Sequence, residues 1–489
     1  MKTQPEILAT GEGVILDGRE NFVKGLRLID AATLVIGTMI GSGIFIVSAD
    51  ISRIVNSPGL LLVVWLIAGV LTIIGALSYA ELSAAMPEAG GQYVFLREAF
   101  GKLPAFLYGW TLFLVIGTGI MAAVSMAFAK FFGVLMPFIS STNILLRVGP
   151  VTVSSAQAVA MLVIALLTYI NCRGVKSGAM VQNVFTLLKT TALVILLVGG
   201  LTVGRNPSVI SANFTDLFAG SPHGIDILTA IGSAMVGALF SMDAWAYVCF
   251  AAAEVENPHK NLPRALLFGT GIVTILYLLV NISYMNVLPL LGNAGGADIL
   301  SRGIQFASED RVATAVAQVM LGNIGLVVIA AAIMISTFGC VNGNTLMCAR
   351  MYYAMAKDKL FFKSVSHIHP KTHVPVRALI VGGIWSCVLT LSGTFGQLLD
   401  YVIFATLIFY ILTIIGLIVL RKKRPDMPRP YKAWGYPWLQ IIYIIVATII
   451  SVELLIHKPD YTWPGLIIVV SGIPVYYIWR WRTAKAEAG

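Results

Sequence analysis

Three features of this 489-residue chain have side chains or backbone suited to chemistry. Gly41-Ser42-Gly43 interrupts an apolar run from Ala31 to Ile54, Asp243 lies in the middle of a second apolar run, and Lys189 lies well inside a third. Two glycines let the chain leave a helical path and let a ligand approach bare backbone. The helix that resumes after them offers free N–H groups and a positive dipole end, which suit an anion such as a carboxylate. The alternative reading is that Gly41 and Gly43 only permit close helix packing. A carboxylate at Asp243, within Phe240-Ser241-Met242-Asp243-Ala244-Trp245, is costly in an apolar run and marks a functional position unless it serves as a structural cap. Lys189 must pair, bind carbonyls or lose its proton. An ammonium can stand where a related design would hold a sodium ion, or the side chain can snorkel to an interface.

The elements that must position these groups follow from composition. With 58% apolar residues, 11% charged residues and a mean hydropathy of +0.86, the chain is expected to be a polytopic membrane protein. Runs long enough to cross a bilayer are read at 29–54, 60–86, 103–137, 152–171, 179–203, 225–252, 265–290, 313–349, 376–393, 396–420, 437–456 and 463–481. Twelve spans put both termini on one side. Of the 33 Lys and Arg residues, 25 fall in segments on that side and six on the other, so both termini are expected to be cytoplasmic. That asymmetry accounts for the net charge of +10 without nucleic acid. The clusters Arg421-Lys422-Lys423-Arg424 and Lys357 to Lys371 read as topology signals and contacts to anionic lipid.

Sparse residue types exclude other chemistries. Cys172, Cys249, Cys340, Cys348 and Cys387 lie in or beside spans, so no disulfide framework is expected. His367, His369 and His373 lack a carboxylate or thiol at ligand spacing, and no metal or cofactor is expected. No nucleophile–base pair stands at mid-depth, so the chain is not expected to be an enzyme. Asn213-Phe214-Thr215 fits a glycosylation sequon. Lys130 reads as snorkelling outward and Glu81 as a structural anchor.

A chain with an interrupted first span invites a search for its counterpart, since many transporters are two inverted repeats with substrate between paired discontinuous helices. The sixth span, with Asp243, is that counterpart. Spans 1 to 5 and 6 to 10 then form the repeats, with 11 and 12 peripheral. The organisation expected is a tail at 1–28, repeats at 29–203 and 225–420, a basic loop at 421–436, peripheral helices at 437–481 and a tail at 482–489.

Short stretches in order along the core carry a resemblance. They are Ile40-Gly41-Ser42-Gly43-Ile44-Phe45; Ser78-Tyr79-Ala80-Glu81-Leu82 with Pro87-Glu88-Ala89-Gly90-Gly91-Gln92-Tyr93; Asn171-Cys172-Arg173-Gly174-Val175-Lys176; Asp243-Ala244-Trp245; Glu254 with Asn257-Pro258 and Asn261-Leu262-Pro263-Arg264; and Val341-Asn342-Gly343 with Ala349-Arg350. The chain resembles the amino acid–polyamine–organocation superfamily and, within it, is similar to the L-type amino acid transporter family. The resemblance implies an all-α integral membrane fold of twelve transmembrane helices, with a 5+5 inverted-repeat core and broken helices 1 and 6. It also implies a sodium-independent exchanger of neutral L-amino acids working by alternating access.

Carried over by position, the substrate carboxylate meets the N–H groups of Ser42 and Gly43. Its ammonium meets the carbonyls of Met39, Phe240 and Asp243, and Phe240 closes over it. Ile40, Gly41, Trp245, Tyr247 and Asn342 complete the expected binding set, while Lys189 and Tyr277 couple occupancy to closure. Gly117, Gly119 and Phe404 are further candidates to face the substrate side chain. Two departures matter. Ala246 stands where animal members often carry Asn, and the loop at 138–151 lacks the cysteine that joins animal members to a glycoprotein. A stand-alone bacterial transporter of the plasma membrane, with no disulfide-linked heavy chain, is therefore expected. A proton-coupled symporter titrating at Lys189 or Asp243 is the alternative, and a non-transporting amino acid sensor a remote one.

Overall fold

The computed structural model describes residues 22, 24–148, 151–391, 395–457 and 459–488. The expected tail up to residue 21 lies outside the described residues. Helical segments, numbered in chain order, are 1 (Leu28–Met39 and Gly43–Val55), 2 (Pro58–Ala85), 3 (Lys102–Leu135), 4 (Ser155–Cys172), 5 (Val175–Leu201) and 6 (Asp226–Ser241 and Trp245–Glu254). They continue as 7 (Pro258–Val287), 8 (Val312–Lys357), 9 (Val376–Thr390), 10 (Phe395–Lys423), 11 (Trp438–His457) and 12 (Pro459–Ala488). Among the described residues, eleven helices are long and apolar enough to cross a membrane, and segment 9 is a shorter apolar helix. The fold is therefore all-α and multi-spanning, apart from one antiparallel hairpin, Ile144–Val148 with Val151–Ser154, in the loop between segments 3 and 4.

Local chemistry places the breaks. Ile40 caps the first half-helix, its N–H donating to the Ile36 carbonyl at 3.0 Å; Gly41 and Ser42 lie between the halves, and Gly43 begins a new helix. The second break, Met242 to Ala244, passes through a left-handed Ala244 at φ 66°, after which the chain continues as a 3-10 helix. Segment 3 contains a π turn at Leu112–Ile116, where the Thr118 hydroxyl donates to the Phe113 carbonyl at 2.7 Å. Such turns re-aim the residues that follow them. Segment 8 runs past the expected end at 349 to Lys357.

Segment 1 is anchored at both ends. On the side of the basic loops, Leu26 pairs with Val255, and Gly25 and Leu26 N–H donate to the Glu254 carbonyl at 3.0 Å. The Glu254 carboxylate is held by buried Arg350 at 2.8 and 3.1 Å. On the opposite side Arg53 donates to Asp310 and to the Gln305 carbonyl, each at 2.6 Å. Glu81 accepts from Arg421 at 2.8 Å and from Ala433 N–H at 2.7 Å, so it ties segment 2 to the basic loop after segment 10. Asn213 is buried, and its amide donates to the carbonyls of Met285 and Leu288 at 2.7 and 2.9 Å, an arrangement at odds with the sequon reading.

Candidate functional site

The two breaks meet at the centre of the fold. Gly43 packs so closely on Ser241 that a Cβ added to it would lie 2.7 Å from the Ser241 Cβ and 2.9 Å from its Cα. A Cβ on Gly41 would meet the Cys340 sulfur at 3.3 Å. Close packing and bare backbone are therefore both served by these glycines. Between the breaks lies a narrow crevice of about 20 Å³, roughly the room for one water molecule, lined by Met39, Gly41, Ser42, Gly43, Phe240 and Asp243 and closed by Thr38, Ile120, Val124, Ser241, Ala244 and Cys340.

The first helix ends in carbonyls that other segments occupy. Lys189, fully buried, donates to the carbonyls of Gly37, Ile40 at 2.8 Å and Ser336 at 3.4 Å, so its three N–H groups face three acceptors. Tyr277 donates to Met39 O at 3.1 Å, which also accepts Gly41 N–H at 2.8 Å. Ser336 donates to Ile40 O at 3.0 Å and Gly41 O at 3.2 Å, and Cys340 Sγ donates to Thr38 O at 3.1 Å. Tyr284 donates to Ile44 O at 3.3 Å. Thr38 joins the breaks by donating to Ala244 O at 3.2 Å.

Beyond that lattice, donors and an acceptor stand open. The N–H groups of Ser42 and Gly43 donate to no backbone carbonyl among the described residues. The Ser42 hydroxyl is buried without a partner. Asp243 accepts from Tyr410 through Oδ1 at 2.6 Å, while its buried Oδ2 has no partner. Two helix-start N–H groups and a carboxylate oxygen therefore line one crevice. An N-terminal helix end favours an anion, and a lone carboxylate oxygen favours a cationic donor.

The residues expected at the site do not all meet there. Met39, Gly41, Ser42, Gly43, Phe240 and Asp243 line the crevice. Ile40 contributes its carbonyl to Lys189 and Ser336 rather than a crevice face. The Met39 carbonyl, expected to meet an ammonium, already accepts two hydrogen bonds. Trp245 lies on the far side of Asp243, edge-on to Tyr79 with centroids 4.9 Å apart. Tyr247 stacks on Phe250 outside the crevice. Asn342 is drawn to segments 4 and 5, accepting from Asn171 at 2.9 Å and donating to Gly178 O at 3.0 Å and Gln182 at 3.1 Å. Gly117 and Gly119 pack on Cys348 and Val402, while Ile120 and Val124 present the segment 3 face to the crevice.

Sequence reading missed Ser336, Cys340, Tyr284 and Tyr410. Ser336 and Cys340 are four residues apart and share a helix face, a spacing that signals a polar stripe in an apolar run. Tyr410 carries no comparable signal. Among the described residues no group of three or more His, Cys, Asp or Glu side chains is disposed to hold a metal.

The sequence matches the Amino acid permease family over residues 26–476. It is 32% identical over 474 residues to the human (Homo sapiens) cystine/glutamate transporter, covering 95% of this chain and 88% of that one. Over 457 residues it is 30% identical to the b(0,+)-type amino acid transporter 1 of Mus musculus, with 93% and 88% covered. Over 478 residues it is 29% identical to the human large neutral amino acids transporter small subunit 2, with 97% and 82% covered. The last name is that of a subunit within a larger assembly, and it corrects the expectation that no disulfide-linked heavy chain accompanies a chain of this kind. A loop without cysteine removes one covalent attachment point and leaves apolar packing free to join a partner, so the missing cysteine does not imply a stand-alone protein. On a match that spans nearly its whole length, the chain belongs to the amino acid permease family of the amino acid–polyamine–organocation superfamily.

Proposed function

We propose that this chain exchanges neutral L-amino acids across the plasma membrane without sodium. The observation that carries the reading is the pairing, in one crevice, of the open N–H groups of Ser42 and Gly43 with the unpartnered Asp243 Oδ2. That pairing complements a zwitterion: the substrate carboxylate meets the helix start, and its ammonium meets Asp243 and the end of the helix at Phe240. Met39, Ile120, Val124 and Phe240 give the remaining walls an apolar character, which suits an uncharged side chain. Kinship with transporters named for cystine and glutamate and for large neutral amino acids supports an amino acid exchanger.

Lys189 takes the part of a bound cation. Its ammonium neutralises the carbonyl end of the first half-helix and ties it to segments 5 and 8, while Tyr277 ties the same end to segment 7. Occupancy of the crevice is sensed through these ties, and the two five-segment repeats, 29–203 and 225–420, rock about the fixed site. Both termini are cytoplasmic by the distribution of Lys and Arg.

Uptake of a panel of labelled amino acids into proteoliposomes tests this reading. Uptake that requires unlabelled amino acid inside and ignores an imposed pH gradient is expected. Uptake into empty vesicles driven by the gradient would replace exchange by proton-coupled symport, with Lys189 or Asp243 as the titrating group.

A further inference from the structure

We propose that the outer surface of segments 4 and 9 is a binding site for one anionic phospholipid, with an acyl chain in an apolar groove and its phosphate in the basic pocket at the groove's end. The groove lies away from the central crevice. It is lined by Met161, Ala165, Cys172, Ile380, Ile384 and Val388 among others, in a space of about 560 Å³. Ile380, Ile384 and Val388 recur every four residues and are exposed, so this stripe of segment 9 faces the bilayer rather than the core. From Met161 to Cys172 a helix rises about 16 Å, close to half of a hydrocarbon core of about 30 Å. The groove is therefore about one leaflet long.

Its mouth is basic. Cys172 and Val376 line the groove at its end, and the next residues in the chain are Arg173 and Arg377. Arg173 donates to the Tyr169 hydroxyl at 2.9 Å and stands 5.7 Å over that ring, itself part of the groove wall. Arg377 lines a second pocket, of about 430 Å³, with Lys357, Lys363, Ser364, Ser366 and His367. None of the residues lining it is acidic, and the nearby carboxylate of Asp358 is turned to Tyr93 at 2.8 Å and Arg97 at 3.0 Å. An apolar slot one leaflet long, with an acid-free basic pocket lined by the residue that follows Val376 in the chain, matches the shape and charge of an anionic lipid. Basic residues that only set topology have no need of the adjoining slot.

Native mass spectrometry of the purified full chain, released from micelles holding equal dioleoylphosphatidylglycerol and dioleoylphosphatidylcholine, tests the site. One phosphatidylglycerol per chain is expected, retained at least about tenfold over phosphatidylcholine. Lys363→Glu with Arg377→Glu removes the head pocket, and Ile384→Trp fills the slot. Each is expected to cut that retention about tenfold, while Lys432→Glu, at an exposed lysine of another loop, leaves it unchanged. Ile380→Trp substitutes for Ile384→Trp if that variant does not fold. Equal retention of the two lipids, or retention untouched by both classes of variant, overturns the site. Capture of inorganic phosphate as strong as that of the lipid overturns it too, by making the pocket one for soluble anions.

Discussion

The two breaks are built in opposite ways. Around the first, the carbonyls of Gly37, Thr38, Met39, Ile40 and Gly41 all accept from side chains of segments 5, 7 and 8. Around the second, one hydroxyl from segment 10 holds Asp243, one hydroxyl from segment 1 reaches Ala244, and a carboxylate oxygen is left open. A buried polar group without a partner costs free energy, so the carbonyl end of the first break is fixed by its surroundings, while its Ser42 and Gly43 N–H groups and the Asp243 Oδ2 of the second break keep capacity for a ligand. The difference suggests a division of labour, with the first break as a pre-formed anion cradle and the second as the part whose polar groups are completed by substrate.

Removing the lattice of the first break has the largest expected effect. Lys189→Ala removes three hydrogen bonds to buried carbonyls at once, and substrate exchange in proteoliposomes is expected to fall about a thousandfold. Exchange at the parent rate from both sides would show that the lattice is dispensable. Next comes Gly43→Val, which drives a side chain into Ser241 and separates the breaks; equilibrium binding of labelled substrate is expected to weaken about a hundredfold. Parent affinity in that variant would remove the first break from the site.

The second break is tested more gently. Asp243→Asn keeps a partner for Tyr410 but removes the charge, and a loss of about tenfold in substrate affinity is expected from the same binding assay. An unchanged affinity would mean that Oδ2 faces no ammonium. Tyr277→Phe deletes one of two hydrogen bonds to Met39 O and should slow exchange about fivefold with binding little altered. A loss confined to binding would make Tyr277 a substrate contact instead of a coupling residue. Ala244 adopts a left-handed conformation that glycine takes without cost, so Ala244→Gly should stabilise the chain by about 1 kcal/mol, read as a higher unfolding midpoint in detergent. A lower midpoint would show that the strain there is offset by contacts of the Ala244 methyl.

These contrasts mark what was legible in the sequence. The membrane class, the positions of the helices and the first break follow from apolar run lengths and from Gly41-Ser42-Gly43, because a bilayer imposes one length and few residues permit an exit from helix. Asp243 announced the second break by charge alone. The lattice was not legible, since it depends on which faces of segments 5, 7 and 8 turn inward. Tyr277 is legible only through the family resemblance and Ser336 only as part of a polar stripe, while Tyr284 is an ordinary member of an apolar helix until three-dimensional packing points it at Ile44. Asn342 misled for the same reason: its polarity is answered by Asn171 and Gln182 rather than by the crevice. The π turn of segment 3 carries no proline or charge to signal it, yet it precedes Ile120 and Val124 at the crevice wall.

Competition by end-blocked substrates tests the zwitterion site most directly. For the neutral amino acid found to be exchanged best, its amide lacks the carboxylate meant for Ser42 and Gly43, and its N-acetyl form lacks the ammonium meant for Asp243. Each is expected to compete at least about a hundredfold more weakly than the parent amino acid, because each leaves one buried set of polar groups unanswered. Competition by either analogue within about threefold of the parent would contradict the zwitterion site.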